Sequence, residues 1–172
     1  MRRTWIVVSV TALLGVLVAG AVWFVDGHRL LAVDFGPIPR DSPALAQSDI
    51  GTLLSDDYTL VRHVRQIPAT LRESFTNVAG LPFDMNDPGD PIQTDDFTIH
   101  APSRQLIFAG VGQRSAIVVY IQGGFVSLPY AAVFSKAGAA AWIAIDGYPP
   151  ADIAALRKIV HAGRFKVIRP GM

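Results

Sequence analysis

Residues 104–146 read RQLIFAGVGQRSAIVVYIQGGFVSLPYAAVFSKAGAAAWIAID. Apolar runs of six to ten residues are punctuated here by short polar or glycine-bearing clusters. These are Gly112-Gln113-Arg114, Gln122-Gly123-Gly124 and Lys136-Ala137-Gly138. β-Branched and aromatic residues in short runs with turn chemistry between them predict strands. The runs are Arg104–Val111, Ser115–Ile121, Phe125–Phe134 and Ala139–Asp146. A fifth, Phe97–Ala101, precedes them across Pro102-Ser103. Connections this short make hairpins, so the sheet is expected to be an antiparallel meander of five strands. Pro129, inside the fourth run, has no N–H to give and implies an edge position, a bulge or a split strand.

Both faces of these strands carry apolar side chains. Ile117, Val119 and Ile121 alternate with Val118 and Tyr120, and Trp142 and Ala144 with Ile143 and Ile145. A sheet wetted on one side alternates more cleanly. One face is therefore expected to take helices, and the other to be covered by sheet curl, an upstream segment or a second copy of the chain.

Downstream, Ile153, Leu156, Ile159 and Val160 fall on one side of a helix over Ala151–Ala162, with Gly163 as its stop. Phe165–Ile168 reads as a short final strand. Upstream, Ser48 is positioned as N-cap of a short helix over Asp49–Leu54. Asp56 or Asp57 is positioned to cap a second, with Leu60, Val61, Val64 and Ile67 on one face, broken by Pro68. A third runs Pro68–Ala79, with Leu71, Phe75 and Val78 inward and Gly80 closing it. Helices, a meander and a last helix define an α+β domain. In outline this topology is similar to the cystatin-like and NTF2-like rolls, in which a curved sheet wraps a helix. The resemblance implies such a roll, and it carries no site residues with it.

The other strongly apolar stretch is TWIVVSVTALLGVLVAGAVWFV, residues 4–25, with 22 residues and no charge. As a helix it would be about 33 Å long, enough for the ~30 Å hydrocarbon core of a bilayer. Trp5 near one end and Trp23 near the other suit interfacial belts. Arg2 and Arg3 before it place the N-terminus in the cytoplasm by the positive-inside rule. The expectation is a single-pass signal-anchor over residues 1–25 with an extracytoplasmic domain, periplasmic or at the cell surface in a bacterium. The alternative is a signal peptide cleaved after Ala21 and a secreted product. Thr11, Gly15 and Ala19 form a small-residue stripe of the kind common in membrane helices. Residues 26–47, with Pro37, Pro39 and Pro43, read as an extended tether that in part could dock as an edge strand. The folded domain is expected over residues 48–172.

Composition narrows the function classes. Mean hydropathy is +0.35 over 172 residues, and much of it resides in residues 4–25. Without Arg2 and Arg3 the chain has 13 basic against 14 acidic residues, so no nucleic-acid footprint is present. No cysteine occurs, which excludes disulfides, thiolate metal sites and a lipidated cysteine.

The Asp-rich stretch 84–96 places Asp84, Asn86, Gly89, Asp90 and Asp95 at positions 1, 3, 6, 7 and 12 of a calcium loop. Pro88 at position 5 supplies no side-chain oxygen, so a turn-rich connector is the competing reading and calcium the alternative ligand. His100, close to Asp95, Asp96 and Ser103, is the one histidine set beside carboxylates and a hydroxyl. Asp95, Asp96, His100 and Tyr120 are the catalytic suspects if the sheet's concavity holds an enzyme site. Gly110-Val111-Gly112 begins like a dinucleotide fingerprint, but Ser115 and a following strand make it a hairpin turn. His63 reads as a surface residue, and His28 and His161 as helix-flanking ones. No pair of histidines has metal-ligand spacing. Residues 147–172 carry a local charge of +4, from Arg157, Lys158, Arg164, Lys166 and Arg169 against Asp152. They could meet the acidic 84–96 loop within or between chains.

These features favour a membrane-tethered, extracytoplasmic, non-enzymatic domain that binds a protein partner or itself in a cell-envelope assembly or accessory role. A small-molecule enzyme such as a hydrolase, with its site in the sheet concavity, is one alternative. A calcium-responsive module is the other.

Overall fold

The computed structural model describes residues 36–93, 102–124 and 126–168. The chain divides into a unit Met1–Val33, outside the described residues, and a unit Asp34–Met172. The expected anchor, the Phe97–Ala101 strand, and Asp95, Asp96 and His100 likewise lie outside them. Among the described residues no helix is long and apolar enough to cross a membrane.

The second unit is mixed α+β. In chain order it contains α1 (Gln47–Leu54), β1 (Thr59–Val61), a 3-10 turn (Val64–Gln66), α2 (Ala69–Ala79), β2 (Arg104–Val111), β3 (Ser115–Gln122), β4 (Leu128–Ser135), β5 (Ala140–Ile145), α3 (Ile153–His161) and β6 (Phe165–Ile168). The strands form one sheet in the order β1-β2-β3-β4-β5-β6, every pair antiparallel. The meander from β2 to β5 matches the expected runs within a few residues. Pro129 pairs with Ile121, one position before the β4–β5 ladder starts at Tyr130, so its missing N–H takes nothing from that ladder.

Six strands replace the five expected from the sequence, and the reason lies in β1. The apolar positions Leu60 and Val61, read as one side of a helix, belong to a strand paired with Ala109–Val111. Asp56 caps no helix. Its carboxylate accepts the N–H groups of Arg114 and Ser115 in the β2–β3 turn, at 2.7 and 3.1 Å. The expected second helix is reduced to the 3-10 turn before Pro68. α1 starts one residue earlier than Ser48 would cap it, and its N-cap is Ala46, without a side-chain bond. Pro68 is the N-cap of α2, where the missing N–H costs nothing, and Gly80 closes it in the left-handed region at φ 67°. α3 is capped by Asp152, whose side chain accepts from Ala155 N–H at 2.8 Å.

The two faces of the sheet are both covered, by different chemistry. On one, Phe108, Ile117, Val119, Val133 and Ile143 pack with Ile50 and Leu54 of α1 and Leu156, Ile159 and Val160 of α3. On the other, Phe75 of α2 meets Tyr120 and Trp142 at ring-centroid distances of 5.7 and 5.4 Å. Phe83 packs edge-on to Phe75, and Phe134 edge-on to Trp142. Leu106 and Phe108 face opposite sides because a register shift between them lets Ile107 bulge. Helices on both faces set this sheet apart from a roll that wraps a helix on one face.

Residues 36–46, placed in the tether by their prolines, lie on the domain. Ile38 is buried, its N–H donating to Ser74 Oγ at 2.9 Å and its carbonyl accepting from Asn77. Leu45 N–H bonds Ala140 O, and Ala140 N–H bonds Pro43 O, which makes a short parallel bridge on the outer side of β5. Thus β5 is edged by residues 43–45 at its start and by β6 from Trp142 onward.

Candidate functional site

The Asp-rich connector folds as a strap along β2. Asn86 bonds Arg104 and Leu106 through its backbone, and its side-chain amide donates to Pro91 O at 2.5 Å. Gln105 donates to Asp90 O. Asp87, which the calcium reading passed over, accepts Val64 N–H at 2.5 Å and lies 3.3 Å from His63 Nδ1. The Val64 N–H chiefly holds the Asp87 carboxyl below its ordinary range, with His63 helping. Asp84 and Asp90 are exposed. Among the described residues no three His, Asp or Glu side chains gather as a metal-binding group.

Tyr120 is 5% exposed, and its hydroxyl accepts the Trp142 indole N–H at 3.1 Å. Its ring stacks on Tyr130. Burial pushes its phenol up to about 12, against smaller opposing effects of the Trp142 bond and Arg104. The space over this face of the sheet is occupied by Phe75, Phe83 and the Arg104 guanidinium, 5.7 Å from the Phe75 ring. Tyr120 is thus a core residue with a satisfied hydroxyl. Asp95, Asp96 and His100 are not placed beside it by any described contact.

A second polar centre escaped the sequence reading. At the C-terminal end of α1, Leu53 O accepts the hydroxyls of Tyr58 and Ser115, which lie 2.6 Å from each other. Asp56 takes the Arg114 and Ser115 N–H groups and the Ser115 hydroxyl. Arg157 of α3 donates to Leu54 O at 2.7 Å and Asp56 O at 2.6 Å. Burial alone would raise the Asp56 carboxyl. The two backbone N–H groups, the Ser115 hydroxyl and the Arg114 guanidinium bring it below its ordinary value. Burial pushes the Tyr58 phenol up to about 12. Ser115 is fully buried and Asp56 6% exposed, so this centre has no room for a substrate. It fastens α1 and α3 to the β2–β3 turn. The only local signal was Gly112: a Cβ there would collide with the Asp56 carboxylate.

The third region is the β6 edge. Asp146 N–H bonds Arg164 O, so residues 164, 166 and 168 face β5, and Phe165 and Val167 turn their N–H and C=O outward. Among the described residues nothing pairs with that outer side. A depression flanks each end of the strand. One, of about 180 Å³, is lined by Arg40, Val78, Ala141, Trp142, Val167 and Ile168. The other, shallower and about 330 Å³, is lined by Ala144, Asp146, Gly163, Arg164, Phe165 and Lys166. Arg40, Arg164 and Lys166 have no ion pair among the described residues. At the same end of the sheet as Arg164, the β3–β4 turn and the β5–α3 loop expose Val126, Leu128 and Tyr148.

No protein-family model matches the chain, and no curated protein and no solved structure matches it.

Proposed function

We propose that this chain is a membrane-tethered, extracytoplasmic, non-enzymatic domain that docks a protein partner or another copy of itself. The observation that carries the reading is the contrast between closed faces and an open edge. The chain's own helices fill both sides of the sheet, while the outer side of β6 keeps its backbone groups unpaired among the described residues. An unpaired edge is a template for another strand, and such recognition needs no catalytic group. The uncharged stretch 4–25, with Arg2 and Arg3 ahead of it, supports the anchor and the outward orientation of the domain.

Crosslinking of the full chain in intact membranes, followed by mild solubilisation and mass measurement, tests this. The expected result is a discrete complex heavier than the monomer. A monomer under crosslinking conditions overturns the docking reading. Protease protection in sealed vesicles tests the orientation: residues 26–172 are expected on the side opposite the cytoplasm.

A further inference from the structure

We propose that the docking surface is the outer edge of β6, and that it takes an extended, acidic and apolar peptide segment as a seventh strand. This rests on the docking reading above and names its surface and the chemistry of its partner. Three independent features converge on four residues. Phe165 and Val167 present outward backbone donors and acceptors, which bond an added strand without disturbing β5. Two depressions lie at the two ends of β6, about 13 Å apart at the rise of a strand, as side-chain pockets of an added strand must. The charges lining them are Arg40, Arg164 and Lys166 against Asp146, and the three cations have no ion pair among the described residues.

The pockets differ in character. The one floored by Ala141 and Trp142 and walled by Val78 and Ile168 is apolar, and it suits a branched aliphatic side chain beneath the Arg40 guanidinium. The one at Arg164 and Lys166 suits carboxylates. The other end of the sheet is a poorer template, because β1 has three residues. A second copy offering the same edge would set Arg164 and Lys166 near their own counterparts, a like-charge arrangement that disfavours symmetric pairing.

The test uses the purified full chain in detergent micelles and two labelled heptapeptides, one alternating valine with aspartate and one alternating valine with lysine. The acidic peptide is expected to bind at least about tenfold more tightly. Val167→Pro removes an outward N–H and no β5–β6 bond, and is expected to lower that affinity about tenfold or more. Val167→Thr keeps the N–H and the branched shape, and is expected to retain most of it. Lys166→Glu is expected to reverse the peptide preference. Unchanged melting of each variant shows that the edge, not the fold, was altered. The proposal is overturned by equal binding of the two peptides, by no binding of the acidic one, or by full affinity in Val167→Pro. It is also overturned by a concentration-dependent dimer that Val167→Pro dissolves and the peptide leaves intact. Repeating the membrane crosslinking with Val167→Pro separates the two levels. A complex retained in that variant removes the β6 edge but keeps the docking reading, whereas no complex in the wild type removes both.

Discussion

The two faces of one sheet are built from the same strands and closed by different means. The face under α1 and α3 is aliphatic. Two helices seal it, and a polar centre pins them, with Arg157 reaching from α3 to the carbonyls at the end of α1. The face under α2 is aromatic. One helix seals it, helped by irregular chain: Ile38 on Ser74, and Phe83 in the strap that follows α2. Leu, Ile and Val fill the space between two regular layers well. Large rings span the wider and less regular gap beneath a single helix and its flanking loops.

The largest expected effects come from cutting each face at its centre. Phe75→Ala removes the ring that touches Phe83, Tyr120 and Trp142, and is expected to cost about 3–5 kcal/mol. Leu156→Ala, fully buried on the opposite face, is expected to cost about 2–5 kcal/mol. Because the sheet separates the two sites, urea unfolding of the double variant should give the sum within about 0.5 kcal/mol. A clear departure from additivity would mean that the faces are one mechanical unit.

The next effect separates the faces by pH. Asp56 belongs to the aliphatic side, and its carboxyl is held below the ordinary 3.8 by the N–H groups of Arg114 and Ser115. A depressed carboxylate stabilises the fold fully above its unfolded value and loses that contribution as pH falls through the folded one. Asp56→Asn is expected to lose about 1.5–3 kcal/mol at pH 7. The gap from wild type should close as pH drops below about 4. Thermal melts of both proteins between pH 7 and pH 2 check this. A gap independent of pH would show that shape rather than charge fills the site.

That centre also marks where the sequence stops being readable. The meander from β2 to β5 was legible because its turns are local: Gly112-Gln113-Arg114 and Lys136-Ala137-Gly138 announce themselves within a few residues. The apolar character of both faces correctly posed the question of a second cover. β1 was not legible. Three residues show no period, and Thr59–Val61 is a strand only because Ala109–Val111 lies beside it, with Gly110 leaving room for Leu60. The links among Asp56, Ser115 and Arg157 span 59 to 101 residues of chain, so no local pattern encodes them. Asp56 resembled a helix cap because a carboxylate accepting two successive N–H groups does the same chemistry at a helix start and in a hairpin turn. Tyr120 was singled out for its hydroxyl, and its register opposite Tyr130 and near Trp142 made it core.

The helices on the two faces also start differently, which gives a smaller and cleaner comparison. α3 has a side-chain cap in Asp152, whereas α2 begins at Pro68 with none. Asp152→Ala is expected to cost about 1 kcal/mol, with Asp152→Asn or Asp152→Ser restoring most of it. Hydrogen exchange should then rise at Ala155, whose N–H loses its acceptor, while the amides of α2 stay unchanged. Equal loosening of α2 would tie the two layers together after all.

The smallest effect lies at the clip that holds the strap beside the aromatic face. Asp87 accepts Val64 N–H and faces His63, so two bonds close the loop onto the 3-10 turn. The His63 side chain is 53% exposed, and an exposed ion pair contributes little. His63→Ala is therefore expected to shift stability by no more than about 0.5 kcal/mol. Asp87→Ala also strands the Val64 N–H, and is expected to cost about 1 kcal/mol. Midpoints of urea unfolding at constant slope measure both. The order matters more than the sizes. If His63→Ala cost as much as Asp87→Ala, the strap would be held by charge. The expected inequality means that it is held by a backbone bond, as the aliphatic face is held by Asp56.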